Sequence, residues 1–141
     1  MMLKIVPFTQ EFVNSIETDF DFPESMRAAF NSGNDVMGFA VIGDKNIVAV
    51  GGVHEMWQGV AEGWVILSKH AYPWKVSLAR YAKTLFEVIL KNKKLHRVQA
   101  SVHAENLEAI KFAEWMGFKK EGVMAKFGPD RSDYFRMAKV I

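Results

Sequence analysis

The stretch Asn106 to Phe118, Asn-Leu-Glu-Ala-Ile-Lys-Phe-Ala-Glu-Trp-Met-Gly-Phe, holds a helix start, a helical period and a helix stop in one short run. Asn106 suits an N-cap, because its side-chain oxygen can accept a bond from a free amide of the first turn, and Glu108 places negative charge where the helix dipole favours it. Ile110, Ala113 and Gly117 fall on one helical face, with Phe112 and Met116 beside it. Gly117 can adopt the left-handed conformation that closes a helix, and Phe118 then opens a new apolar element. By itself this predicts a core helix running straight into a strand.

The rest of the chain arranges itself around that unit. Leu3–Val6 reads as a strand, Thr9–Glu17 as a helix and Pro23–Phe30 as a second helix ended by Asn31-Ser32-Gly33-Asn34. Val36–Ile42 and Ile47–Val53 are strand-like runs joined by Gly43-Asp44-Lys45-Asn46, a hairpin signal. Val60–Leu67 follows across Gln58-Gly59 as a third strand of a meander, and Gly51-Gly52 predicts a bulge or a close approach to the backbone. Trp74–Asn92 has helical spacing, with Leu78, Ala82, Leu85, Phe86 and Ile89 on one face. Arg97–Val102 is a strand, and its link through a helix predicts a parallel crossover. Phe118–Phe127 and Asp133–Val140 close the chain as strands about the Gly128-Pro129-Asp130 turn.

At 141 residues one domain is expected, large enough to bury roughly two thirds of its unfolded surface. No cysteine is present, which removes disulfides, thiolate metal sites and a cysteine nucleophile. No local metal-ligand spacing stands out, so no metal is expected. The apolar runs are shorter than a membrane span, and the absence of a signal-peptide pattern agrees with a cytoplasmic location. A formal net charge of +2 gives little reason to expect a nucleic-acid partner. Lys91, Lys93, Lys94 and Arg97 gather at a predicted helix end, where the dipole favours cations in any protein.

The Asn106 helix, with Ala109-Ile110, Phe112 and Gly117-Phe118 at their spacings from the asparagine, resembles the cofactor-side helix of the GNAT acetyltransferase superfamily. The element order β-α-α-β-β-β-α-β-α-β-β is also similar to that fold, an α/β (α+β) architecture with a mixed, mostly antiparallel sheet of about seven strands and four helices. The resemblance implies transfer of an acetyl group from acetyl-coenzyme A to a small-molecule or peptide amine acceptor. It also implies that the cofactor arm binds the open backbone of the fourth strand, here Ile66, Leu67 and Ser68, with Asn106 and Phe112 contributing from the motif helix. The pyrophosphate is then expected on amides at the next helix start, Lys75, Val76, Ser77, Leu78, Ala79 and Arg80. Family members usually carry glycines there. Trp74 and Val76 depart from that pattern, Ser77 is small enough to substitute, and Lys75 or Arg80 can add charge.

Many members place a tyrosine seven residues after the asparagine as the thiolate's acid, a position that is Ala113 here. Tyr134 is the best substitute by chemistry, Tyr72 and Tyr81 being the other tyrosines. For the base, Glu62 ranks first, ahead of Glu55, His54 and His103. Trp57, at a strand exit near Glu55 and Glu62, is the aromatic best placed to line an acceptor site. An alternative reading is a catalytically inactive GNAT-fold binding or structural protein, since the short chain and altered loop also resemble GNAT-like proteins of phages and prophages. Sheet edges and exposed aromatics permit a homodimer.

Overall fold

The computed structural model describes residues 3–18 and 36–141. Seven strands form one sheet in the order β1-β2-β3-β4-β5-β7-β6. They are β1 (Leu3–Pro7), β2 (Val36–Gly43), β3 (Asn46–Trp57), β4 (Val60–Leu67), β5 (Arg97–His103), β6 (Lys119–Met124) and β7 (Tyr134–Val140). The helices among the described residues are α1 (Gln10–Ser15), α2 (Lys75–Asn92) and α3 (Leu107–Trp115), with a 3₁₀ turn, Tyr72–Trp74, leading into α2. The helix expected at Pro23–Phe30 lies outside the described residues. β4 and β5 pair parallel, as the crossover predicts, whereas β1–β2, β2–β3, β5–β7 and β6–β7 pair antiparallel or form the hairpin expected.

The chain divides into two compact units, one of Met1–His54 with Gly63–Leu78 and the other of Glu55–Glu62 with Ala79–Ile141. In the first unit, strand alternation sends apolar side chains to both sheet faces. Val13, Ile16, Ala40, Val50 and Ile66 form one buried cluster, Val13 coming from α1 and Ile16 from the residue that caps its C-terminal end. Val41, Val48, Ala49, Ala71 and Leu78 form another, against which Leu3, Ile5, Leu67 and Trp74 pack.

Two local departures from regularity shape this unit. The β2–β3 connection is a two-residue turn, Asp44-Lys45, whose φ values of 49° and 71° are those of a primed hairpin turn. The bulge falls at Val48, between the pairs Ile42–Ile47 and Val41–Ala49, and not at Gly51-Gly52, where pairing with Phe39 and Gly38 is regular. An extra residue there lets Val48 and Ala49 face the same cluster in succession. Gly51 answers to the other expectation, a close approach, since a Cβ on it would lie 3.2 Å from the Trp64 carbonyl oxygen.

In the second unit the motif helix behaves as its sequence predicts. The Asn106 side chain accepts the Ala109 amide at 3.1 Å. At the other end Gly117 takes φ +97°, its amide donates to the Glu114 carbonyl, and Phe118 donates to Ala113. Those two bonds are the paired closure of a Schellman motif. Lys139 on β7 adds a bond to the Met116 carbonyl at 3.3 Å, a cation at the negative end of the helix. Phe118 then packs edge-on to Phe86 of α2, 5.4 Å between centroids.

Candidate active site

The β4–β5 ladder comprises three residue pairs, Val60–Arg97, Ala61–Val98 and Glu62–Gln99. Beyond it, the Ser68 amide donates to the Val48 carbonyl at 2.9 Å, so Ser68 faces β3. Main-chain groups of a strand alternate between its two edges, which places Ile66 on the β3 edge with Ser68 and turns Val65 and Leu67 to the opposite edge. The register agrees, because the Gly59 carbonyl, of the same parity as Leu67, accepts the His96 and Arg97 amides on the β5 side. Of Ile66, Leu67 and Ser68, only Leu67 therefore turns its main-chain groups to that edge. Ile66 is instead a core side chain, 1% exposed, and the buried Ser68 hydroxyl accepts the His70 amide.

At the start of α2 the residues of the expected phosphate turn separate by role. Lys75, Val76, Ser77 and Arg80 are exposed, whereas Leu78 is buried in the apolar cluster of its unit. The Ala79 carbonyl accepts the Trp115 indole N–H at 3.2 Å, and the Lys83 ammonium lies over that indole. The 3₁₀ turn also engages donors that an abrupt helix start leaves free, since the Trp74 and Lys75 amides donate to the Ala71 and Tyr72 carbonyls. Trp74, the largest departure from a glycine-rich turn, is folded onto β2, where a Cβ on Gly43 would lie 2.8 Å from its ring. Its bulk thus sits in the apolar cluster and not over the exposed face of Val76 and Ser77.

Asn106 uses its side chain as the helix cap, and Phe112 is half-buried on α3. Glu62 is firmly tied within its own unit. Its Oε1 accepts Arg136 Nη1 at 3.0 Å, and its Oε2 accepts the same nitrogen at 3.3 Å and Gln99 Nε2 at 3.0 Å. The Glu55 carboxylate accepts the Gly59 amide and so closes the β3–β4 turn. Trp57, the last residue of β3 before that turn, is 63% exposed. His54 belongs to the first unit, and its buried Nδ1 has no hydrogen-bond partner among the described residues.

Tyr134 and His103 are cross-strand partners at the ends of β7 and β5, with ring centroids 5.1 Å apart, and Phe127 also packs edge-on to Tyr134, at 5.3 Å. His103 Nδ1 accepts the Glu105 amide, which leaves the ring proton of the neutral form on Nε2. Burial, and then the negative charge of Asp130, raise the Tyr134 phenol above its ordinary value. It therefore stays protonated and able to donate at neutral pH.

Sequence reasoning missed the polar residues that surround Glu62. Gln99 and Arg97 alternate on β5 with Val98, and direct pairing puts Arg136 on the same face, opposite Ser101. The available signal was that i, i+2 polar spacing on β5, obscured because Arg97 also extends the lysine run at the end of α2. Among the described residues, no cluster of His, Asp or Glu is placed to hold a metal, and no helix is long and apolar enough to cross a membrane.

No protein-family model matches the sequence, and no curated protein matches it. Solved structures do match in shape. Ard1 from Thermoplasma volcanium superposes with a TM-score of 0.78 at 14% identity, covering 99% of this chain and 97% of that one. The ribosomal-protein-S18-alanine N-acetyltransferase from Escherichia coli gives 0.72 at 18% identity, over 99% and 94%. An acetyltransferase of the GNAT family from Streptococcus pneumoniae gives 0.68 at 18%, over 99% of both chains. Agreement over nearly the full length, with the strand order and the capped motif helix, establishes that this chain has the GNAT acetyltransferase fold.

Proposed function

We propose that this protein is an acetyl-coenzyme A-dependent N-acetyltransferase acting on an amine acceptor. The observation that carries the reading is the short β4–β5 ladder, which ends at Glu62–Gln99 and leaves the main-chain groups of Val65 and Leu67 outside it. Backbone donors and acceptors require partners, and an extended amide-bearing arm such as pantetheine supplies them. The exposed turn fits the cofactor's pyrophosphate. Lys75 and Arg80 bring positive charge, Ser77 is small, and Trp74 is folded away onto Gly43. When bound, acetyl-coenzyme A supplies the thioester whose acetyl group is transferred.

The chain's own groups then have two proton tasks. Glu62 takes the proton that an ammonium acceptor must lose before its nitrogen can attack, on the part of Oε1 not engaged by Arg136. As the C–S bond breaks, Tyr134 gives its phenolic proton to the departing thiolate and the nitrogen sheds its second proton to solvent. Glu62 then releases its proton to solvent and Tyr134 regains one, so the products are the N-acetyl amine, the free thiol and one proton. The structural neighbours include enzymes acting on a ribosomal-protein alanine and on spermidine, both amines. A cytoplasmic location goes with this reading.

Calorimetric titration with acetyl-coenzyme A tests it, with micromolar binding expected. Replacing Ser77 with Glu sets a carboxylate among the phosphate-facing groups and is expected to abolish that binding. Absence of both heat and thermal shift at millimolar cofactor would refute the transferase reading in favour of a GNAT-fold binding protein without catalysis.

A further inference from the structure

The second unit contains a continuous polar chain that ends on Glu62 and whose other members the proton-transfer roles leave unused. At Glu121 the β6–β7 register slips, with Lys120 opposite Met137 and Gly122 opposite Arg136, so Glu121 is the extra residue of a bulge. Its carboxylate forks onto Arg97, Oε1 to Nη2 at 2.6 Å and Oε2 to Nη1 at 2.9 Å. Arg97 Nε donates to Gln99 Oε1 at 3.2 Å, and Gln99 Nε2 donates to Glu62 Oε2 at 3.0 Å. From β7, Arg136 donates to the same carboxylate. Bulge, guanidinium, amide and carboxylate follow one another across β6, β5 and β4.

We propose that Arg97 and Gln99 are positioning residues that fix the orientation of the Glu62 carboxylate, with the Glu121 bulge as their anchor. The inference rests on the reading of Glu62 as the group that takes the acceptor's proton. A guanidinium can only donate and an ionised carboxylate can only accept. Gln99 therefore has one workable orientation. A half-turn of its amide would set the NH₂ against Arg97 and the oxygen against Glu62, replacing two attractions with two repulsions. Arg97 cannot drift to relieve this, because its two terminal nitrogens are both held by Glu121 in a planar fork. A carboxylate offers about four lone-pair sites. The Gln99 contact and the two Arg136 contacts occupy three, and the one left belongs to Oε1. The chain thus selects which Glu62 oxygen is presented for proton transfer.

The test uses the whole chain and two readouts. In steady-state acetylation assays, Gln99→Leu is expected to lower kcat about tenfold, or about 1.4 kcal/mol in barrier, with KM for acetyl-coenzyme A unchanged. Arg97→Lys is expected to lower kcat severalfold, and the double variant to be no slower than Gln99→Leu alone, because Arg97 acts through Gln99. The second readout needs no turnover. In ¹H–¹⁵N spectra the Gln99 side-chain amide is expected to show two well-separated, slowly exchanging protons, which move to the positions of a free glutamine in Arg97→Lys and in Glu121→Gln. Additive losses in the double variant, or a wild-type Gln99 amide already at free positions, would overturn the proposal. A wild type that does not turn over refutes the transferase reading separately, while the amide spectra still decide the positioning claim.

Discussion

Trp74 replaces the slender residues expected ahead of a phosphate turn, and its accommodation depends on Gly43. Gly43 is buried at the end of β2, and a Cβ added there would lie 2.8 Å from Trp74 Cε2 and Nε1 and 3.0 Å from Leu3 Cδ2. The backbone at Gly43 needs no left-handed conformation, so Gly43→Ala gains about 0.4–1 kcal/mol from a less flexible unfolded chain. Overpacking costs about 1–3 kcal/mol, and the indole is a rigid plane on a residue whose backbone amide donates to the Ala71 carbonyl. The net expectation is a loss of about 1–2 kcal/mol, or roughly 3–8 °C in Tm for a chain of this size. Because displacing the indole moves the entry to α2, acetyl-coenzyme A affinity is expected to fall with stability. Urea unfolding of the wild type, Gly43→Ala, Trp74→Leu and the double variant isolates the contact. In the Trp74→Leu background, the alanine should cost little or stabilise. An equal cost in both backgrounds would show that the ring does not lie over Gly43, and the account of how this turn tolerates a tryptophan would fall.

Four further outcomes follow from named contacts. Asn106→Ala removes the bond to the Ala109 amide and should cost about 1 kcal/mol in denaturant unfolding, while Asn106→Ser should retain most of the stability. Lys45, a β-hairpin turn residue at φ 71°, should become more stable as Lys45→Gly by a few tenths to about 1 kcal/mol, read as a rise in urea midpoint at constant m. Arg97 and its hydrogen bonds hold the Glu121 carboxyl below its ordinary value. Its folded pKa being below the unfolded one, the pair contributes stability that is present above about pH 4.5 and is lost as pH falls through the folded value; Glu121→Gln should flatten that part of the stability profile. Tyr134→Phe should lower kcat by about 10²–10⁴-fold if the phenol is the thiolate's acid, and a rate within twofold of wild type would remove it from that role.

The fold was legible where local chemistry and tertiary structure agree. Asn106, Gly117 and Phe118 specify a cap, a left-handed stop and a strand entry from neighbouring residues alone, and all three appear as their side-chain types dictate. The hairpins at Asp44-Lys45 and Gln58-Gly59 were legible for the same reason. The Val48 bulge was not, because a run of apolar residues facing two buried clusters gives no alternation from which a slipped register could be read. The candidate site was less legible still. Which of Leu67 and Ser68 turns its main-chain groups away from β3 depends on strand parity, fixed by a bond from Ser68 to the carbonyl of that same bulge residue.

Glu62 shows the limit most clearly. Its sequence neighbourhood marks it as a strand carboxylate, but its chemical setting is assembled from Gln99, Arg136, Arg97 and Glu121, all more than thirty positions away in the chain and joined only by sheet register. A bulge on the last hairpin sets Glu121 against Arg97, and through Gln99 that contact reaches Oε2 of Glu62. Which Glu62 oxygen is left open is therefore a property of the register, which only the assembled sheet defines.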